Sequence, residues 1–553
     1  MYIRVKTSNN GATTYVQIVQ AIRKADKVSQ KIVRHVGVAN STDELEGLKI
    51  LAASMKDALE AGGQQFLFKP EEIAGLGPSK IEHDDDNYNV NLKDLFEEQR
   101  LISGFHEIYG TLYDNMGYTK VIANPSKAKI SSRILRDIVI ARIANPSSKR
   151  ASSLMLEEDF GITIDLDKIY RMMDRLDEDA IRRIKEIAYQ NTLSLLGGKI
   201  DVIFYDATTL YFESFTEDEL KQNGYGKDGK FGQPQVLLAL MVTSEGHPID
   251  YEVFSGSTYE GHTLVDALAK IRDKYEIERV VFVADSAMLS GDNIARLEKL
   301  GDKISFIVGA RIKSMDGHIK KKILDSKNYS TIDNQSQVAE FNYKSKRLIV
   351  SYSGKRAAKD AHDRARAIDK LHKKLLKSKS AKSHVSNSGY RKYLKINGTS
   401  SIEIDEDKIE ADSAWDGLHG VITNSDIAPA DVLKKYGDLW NVEAAFRVTK
   451  HDLAVRPVFH WKPHRIKAHI AICFMAYSMV KNLEHRVGLQ YKKLSIESIR
   501  KTLAHVQTSI LYDKKKKIRY GLPSMLKLDA KKIYKLMGLS KQSTPYIIKK
   551  CQM

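Results

Sequence analysis

Hydrophobic and polar positions change period several times along this 553-residue chain, and each change marks an element. Residues 1–40 alternate, with Asn9-Asn10-Gly11 as a turn, which predicts a β-hairpin or meander. Residues 41–75 read as helical and then loop-like, and Asp84-Asp85-Asp86-Asn87 marks a polar boundary. From Leu92 to Leu196 the period is helical, interrupted at Pro146 and Gly161. The pattern then switches to strands of the buried type. KIDVIFYDATTLYFES (199–214) is the first, and VLLALMVTSEGHPIDYEVFSG (236–256) holds two more around Ser244-Glu245-Gly246. HTLVDALAKIRDKY (262–275) has the period of an amphipathic helix. RVVFVADSAML (279–289) and ISFIVGA (304–310) are strands flanking a helix over GDNIARLEKLG. Three strands, helix, strand, helix, strand predicts a mixed α/β sheet.

Residues 311–415 break that rhythm with short alternating pieces around a Lys-rich stretch, 355–382, whose composition favours a helix with a cationic face. A helix over Tyr436–Lys450 follows, then a buried helix over 468–486 and a basic, helical tail. The expected organisation is an N-terminal hairpin and linker (1–85), a helical domain (86–196) and an α/β domain split between 197–310 and 416–486. A β-rich basic insertion (311–415) interrupts the last, and a helical tail (487–553) closes the chain.

Composition narrows the partners. Lys and Arg number 88 against 70 Asp and Glu, a formal net charge of +18, so a polyanion is the first inference. Apolar residues at 42% suffice to bury a core across several domains. Cys473 and Cys551 are the sole cysteines, which excludes a disulfide scaffold or Cys-rich zinc site and points to a reducing compartment. No signal-peptide run is visible, and the longest apolar run, Ile470–Val480, is too short to cross a bilayer. A cytoplasmic protein with no membrane partner is expected.

The Tyr436–Lys450 segment, YGDLWNVEAAFRVTK, carries the most chemistry. On one continuous helix, Tyr436, Trp440, Glu443, Arg447 and Lys450 fall within about 80° of one another, and Leu439, Val442, Phe446 and Leu453 form a separate apolar stripe. A carboxylate for a metal, cations for phosphates and an indole for stacking suit metal-dependent cleavage of a nucleic-acid backbone. Asp206, near the end of the first strand of the sheet, and Asp285, at the end of the fourth, would reach the same sheet edge, where open α/β sites form. Hard oxygen ligands suit Mg²⁺, and two ions would activate a nucleophilic oxygen and stabilise a leaving one. Asp201, Glu213, Glu260 and Asp292 are competing acids that spacing alone does not eliminate.

Together these segments resemble the DDE transposases of bacterial insertion sequences, the group with a β-strand insertion before its catalytic Glu and a Tyr-x2-Arg-x3-Glu-x6-Lys helix. Tyr436, Glu443 and Lys450 match that signature, whereas Leu439 stands at the Arg position, with Arg447 a possible substitute. A Leu-Trp pair in this helix is usual in one branch of the group. FYDATTLYFES, VFVADSAMLS and AWDGLHGVITN (414–424) also look family-like. The resemblance implies an RNase H-like fold, while the helical period over 86–196 fits a DNA-binding domain and equally a plain structural bundle. It implies Asp206, Asp285 and Glu443 as catalytic metal ligands for two Mg²⁺ ions, with Mn²⁺ able to substitute. The implied reaction is cleavage at element ends and strand transfer into target DNA by a homodimer associated with the nucleoid. Tyr436, Trp440, Arg447 and Lys450 would contact the double-stranded DNA. Two alternatives stay open, a catalytically silent DNA-binding regulator and an RNase H-like nuclease without strand transfer.

Overall fold

The computed structural model describes residues 2–7, 14–24, 27–39, 44–49, 52–53, 56, 88–123, 128–212, 216–224, 233–259, 263, 267, 280–285, 304–333, 336–375, 392–397, 401–449, 453, 455 and 458–548. The chain divides into two units, Met1–Val90 and Asn91–Met553. In the first, β1 (Tyr2–Thr7), β2 (Thr14–Lys24) and β3 (Lys27–Ala39) form an antiparallel sheet. Val16 and Ile18 are fully buried there, and Gln17 between them is held by Arg4 at 2.5 Å and His35 at 2.6 Å. Period-2 alternation thus yields the meander its sequence predicts.

The second unit begins with β4 (Leu95–Ile102) and five helices: α1 (Gly104–Asn115), α2 (Ala128–Ala144), α3 (Lys149–Phe160), α4 (Leu166–Met173) and α5 (Glu178–Leu195). Strands β5 (Val202–Tyr211), β6 (Gln235–Val242), β7 (Pro248–Ser255), β8 (Val280–Ala284) and β9 (Ile304–Ala310) follow. After α6 (Gly317–Leu324) come β10 (Ser330–Asp333), β11 (Ser336–Tyr343), β12 (Lys346–Ser353), α7 (Gly354–Leu375), β13 (Leu394–Asn397), β14 (Ser401–Ile404) and α8 (Glu406–Ser413). Then follow β15 (Leu418–Thr423), α9 (Pro429–Gly437), α10 (Trp440–Arg447), α11 (Pro463–Gln490) and α12 (Ile496–Ala504). The unit ends with β16 (Gln507–Asp513), β17 (Ile518–Pro523), α13 (Leu528–Leu536) and β18 (Tyr546–Ile548).

Nine strands form one mixed sheet in the order β10-β11-β12-β15-β9-β8-β5-β6-β7. β5, β6 and β7 are an antiparallel meander, and β8 and β9 run parallel to β5, giving the RNase H-like core. α11 lies in the main core with a nearly unbroken buried run from Ile466 to Leu483. A helix apolar on every side must be enclosed, and α2, α5 and β7 are among its neighbours. No helix among the described residues is long and apolar enough to cross a membrane.

Two expectations are corrected. Leu95–Ile102 reads as helical but is a strand, because Gln507–Asp513, over 400 residues away, supplies its partner. The tail is not wholly helical, since the alternation in QTSILYD builds β16, which pairs with β4 and β17. Within the β-rich 311–415 segment, β12 pairs with β15 and β15 with β9, so β10–β12 extend the main sheet. β13 and β14 do form their own hairpin. The helices expected over 262–275 and 291–301 lie outside the described residues apart from Thr263 and Ala267, both buried.

α5 is tied to β7 by Lys185, whose Nζ lies 3.1 Å from Asp250 and 2.7 Å from Glu252, all three largely buried. Lys185 is the cation facing two buried carboxylates, so removing it strands both. Lys185→Ala should therefore cost about 3 kcal/mol of stability, read as a fall of several degrees in the thermal unfolding midpoint; an unchanged midpoint would mean the cluster is not structural.

Candidate active site

Strand register brings the first two carboxylates level. Val202, Ile203 and Phe204 pair in parallel with Val281, Phe282 and Val283, and Asp206 and Asp285 each stand two residues further on. Adjacent strands lie about 4.8 Å apart. Side-chain alternation decides the face. Val202, Phe204 and Val283 belong to the core that includes α10, whereas Ile203, Tyr205, Phe282 and Ala284 belong to the core on the opposite face. Asp206 and Asp285 share the parity of the first set and project toward α10.

Asp206 is not at a strand end as expected. β5 continues to Tyr211 because it keeps pairing with β6, and Asp206 stands opposite Leu240. Its Oδ1 accepts a hydrogen bond from the Ala207 amide at 2.8 Å. On α10, Val442, Ala445 and Phe446 are buried, and the helix contacts β5 and β6. Glu443 on the same helix is exposed. Asp206, Asp285 and Glu443 line one cleft of about 1040 Å³. Among the described residues, Glu245, His247 and His485 form a compact group of potential metal ligands, with ligand atoms within 4.8 Å of one another, and none of them lines the cleft. Of the competing acids, Asp201 is exposed and pairs with Lys199 at 3.1 Å, while Glu213, Glu260 and Asp292 lie outside the described residues.

The segment carrying Glu443 is not one continuous helix. After Gly437 the Leu439 amide bonds to the Tyr436 carbonyl and the Val442 amide to that of Leu439, both at 3.1 Å. Such three-residue closures turn the chain about 120° per residue instead of 100°, which rotates the second half relative to the first. Tyr436, Leu439 and Glu443 consequently line the cleft. Trp440, 59% exposed, and Arg447, also exposed, lie on α10 outside the cleft lining. Lys450 lies outside the described residues.

The Lys-rich stretch supplies further lining: Lys355, Arg356, Lys359 and Asp360 of α7 line the cleft, as does His419 on β15. The His419 ring lies 5.1 Å from that of Tyr436. Burial, then the Arg356 guanidinium, pushes the His419 pKa down to about 4 against the opposing pull of Asp285, so the ring is neutral at pH 7. Burial, then Asp285, with Glu443 adding to it, pushes the Tyr436 hydroxyl up to about 12 against Arg356. Both shifts report the same cluster, two carboxylates and a guanidinium around these rings.

AWDGLHGVITN now has a physical explanation. The two oxygens of Asp416 accept from Arg364 of α7 at 2.5 and 2.6 Å, and Asp360 accepts from the Gly417 amide at 3.0 Å. Gly417 has φ +79°, and a Cβ there would stand 2.8 Å from the Ser353 carbonyl oxygen and 2.9 Å from Ala357. Glycine is required for that backbone and that closeness. The turn thereby clamps the cationic helix over the cleft. The donor set of the cleft, Asp206, Asp285 and Glu443 without sulfur, fits Mg²⁺ or Mn²⁺.

Residues 197–479 match the transposase DDE domain family, and residues 3–65 match the IS1634 family transposase N-terminal domain. Among solved structures the chain is similar to a piggyBac transposase synaptic complex with hairpin DNA, at 10% identity and a TM-score of 0.36, covering 72% of this chain and 76% of that one. It is also similar to a pre-cleavage Mos1 transpososome (14% identity, TM-score 0.14, 29% of this chain and 54% of that). A Mos1 transposase paired-end complex with the left transposon end matches at 15% identity and a TM-score of 0.14, over 46% of this chain and 71% of that one. No curated protein matches.

The clamp predicts a specific sensitivity. Gly417→Ala should destabilise the protein by about 2 kcal/mol through positive-φ strain and the contact with Ser353. Thermal unfolding checks this, and an unchanged midpoint would contradict the described turn.

Proposed function

The chain belongs to the transposase DDE domain family, and on that premise we propose that Asp206, Asp285 and Glu443 are the catalytic carboxylates with which it cuts and joins DNA at insertion-sequence ends. The observation that carries the assignment is their convergence, from two strands and a helix, on one cleft with a cationic wall. Two Mg²⁺ ions held by these carboxylates, with Mn²⁺ able to substitute, would supply charge neutralisation and an activated nucleophilic oxygen.

The remaining work belongs to the chain's own side chains. Lys355, Arg356 and Lys359 hold phosphates of the DNA strand that enters the cleft, taking the place of the cation missing at Leu439. His419 offers a neutral polar surface beside Asp285 and so leaves the carboxylate charge intact. Tyr436, protonated at neutral pH, lines the path of the strand. Trp440 and Arg447 meet DNA outside the cleft, the indole stacking a displaced base and the guanidinium holding a flanking phosphate. Lys450, placed by its spacing from Glu443, adds a second phosphate contact.

In the first step water adds to phosphorus at the element end and the bond to the 3′ oxygen breaks, leaving a 3′ hydroxyl and a 5′ phosphate. That hydroxyl then loses its proton and attacks a target phosphodiester, whose own 3′ oxygen departs. One phosphodiester forms as one breaks, so strand transfer needs no outside energy source. Two ends must be joined in concert, which makes the working assembly a homodimer on double-stranded DNA.

Asp206→Asn, Asp285→Asn and Glu443→Gln should each reduce Mg²⁺-dependent cleavage of element-end DNA at least 1000-fold, roughly the worth of a transition-state charge contact, while DNA affinity stays within about twofold. Gel assays of cleavage and binding check this; full cleavage by any one variant would move its role to a neighbouring acid. Binding without cleavage by the parent in Mg²⁺ or Mn²⁺ would favour a silent regulator, and cleavage without joining a nuclease.

The cationic wall makes a separate prediction. Arg356→Ala and Lys359→Ala should each lower the slope of log affinity against log salt by about 0.9, measured by fluorescence polarisation across a salt series. Leu439→Arg should restore part of the affinity lost in Arg356→Ala. Unchanged slopes would remove α7 from the DNA path.

A further inference from the structure

A second cluster of metal-binding side chains lies outside the cleft, where the β6–β7 turn meets the end of α11. His247 Nε2 lies 3.2 Å from His485 Nδ1 and 3.4 Å from Glu245 Oε2, and His485 Nδ1 lies 3.3 Å from that same oxygen. None of the three lines the carboxylate cleft. The turn that presents Glu245 and His247 is fixed. Gly246 has φ +76°, its carbonyl accepts from Tyr477 of α11 at 2.5 Å, and the Thr243 hydroxyl accepts from the Glu245 and His247 amides.

Protons alone cannot satisfy this triangle. If His247 Nε2 carries the proton, the His485 lone pair faces the carboxylate at 3.3 Å, acceptor against acceptor. If His485 Nδ1 carries it, the His247 lone pair faces the same oxygen. If both do, two donors oppose each other at 3.2 Å. One edge is repulsive in every neutral tautomer, whereas a cation at the centre makes all three attractive.

The dimensions fit such a cation. Tetrahedral zinc with bonds of about 2.0–2.1 Å sets its ligand atoms about 3.3–3.4 Å apart, against 3.2, 3.3 and 3.4 Å here. Two imidazoles and one carboxylate make a donor set for zinc and its neighbours in the transition series, in contrast to the all-oxygen cleft. Lys481 faces His247 and opposes a positive ion, but its ammonium is engaged by Glu484 at 2.5 Å. Glu245 is exposed, leaving solvent access for a fourth, water ligand.

We propose that Glu245, His247 and His485 bind one transition-metal ion of the zinc class, which staples the β6–β7 turn to α11. The inference is independent of the assignment of the cleft residues. The test uses the untagged full chain carrying Asp206→Asn, Asp285→Asn and Glu443→Gln, so that the cleft does not compete. Co²⁺ titration should saturate one site with visible ligand-field bands, and Zn²⁺ should displace it. Adding His485→Gln should abolish the bands and weaken binding at least tenfold, and adding Glu245→Gln, at an exposed position, should weaken it about tenfold. Absence of bands in the parent would overturn the site, leaving a hydrogen-bonded cluster. Unchanged bands and affinity in both variants would overturn it as well, by locating the ion elsewhere.

Discussion

Carboxylates that share a cleft repel one another, and the design of the second unit follows from having to hold three of them there. Two unit charges about 5 Å apart repel by roughly 3 kcal/mol at an effective dielectric near 20. Asp206 and Asp285 stand level on adjacent strands, so backbone hydrogen bonds of the sheet fix the first pair whatever the charges prefer. Glu443 is held by burial of its helical neighbours Val442, Ala445 and Phe446 against the same face.

The cationic wall offsets part of the same repulsion, and it depends on the turn at Asp416-Gly417. Arg364 and Asp416 are both largely buried, and their paired hydrogen bonds anchor α7 against β15. With α7 anchored, Arg356 reaches the field of both His419 and Tyr436. Carboxylates and cations line the same cleft, which suits a strand of alternating sugars and phosphates with bound cations. α11 backs this arrangement as a buried rod within the core that α10 shares.

Much of this was legible in the sequence because burial writes a period. The meander of β5–β7, the strand ending at Ala284 and the enclosed α11 all follow from runs of apolar residues with turn signals between them. Asp206, Asp285 and Glu443 were readable as candidates from their places in that pattern, and the cleft contains all three. What was not legible depended on distant partners. β4 carries a helical period locally, yet Gln507–Asp513 makes it a strand. The turn after Gly437, which brings Leu439 to the cleft and leaves Trp440 outside its lining, arises from two hydrogen bonds that no spacing rule records. Lys355, Arg356 and Lys359 were visible as charge, but their role needed the clamp from residues some 50 positions later. Asp416-Gly417 was the available signal, a glycine beside an acid at a strand start.

The most direct measurement is anomalous diffraction from crystals of the protein bound to element-end DNA and soaked in Mn²⁺. The account predicts manganese peaks within bonding distance, about 2.2 Å, of carboxylate oxygens from Asp206, Asp285 and Glu443, with a DNA phosphate on the same ions. Peaks held instead by other acids such as Asp201, or a Glu443 side chain that takes no part in coordination, would contradict it.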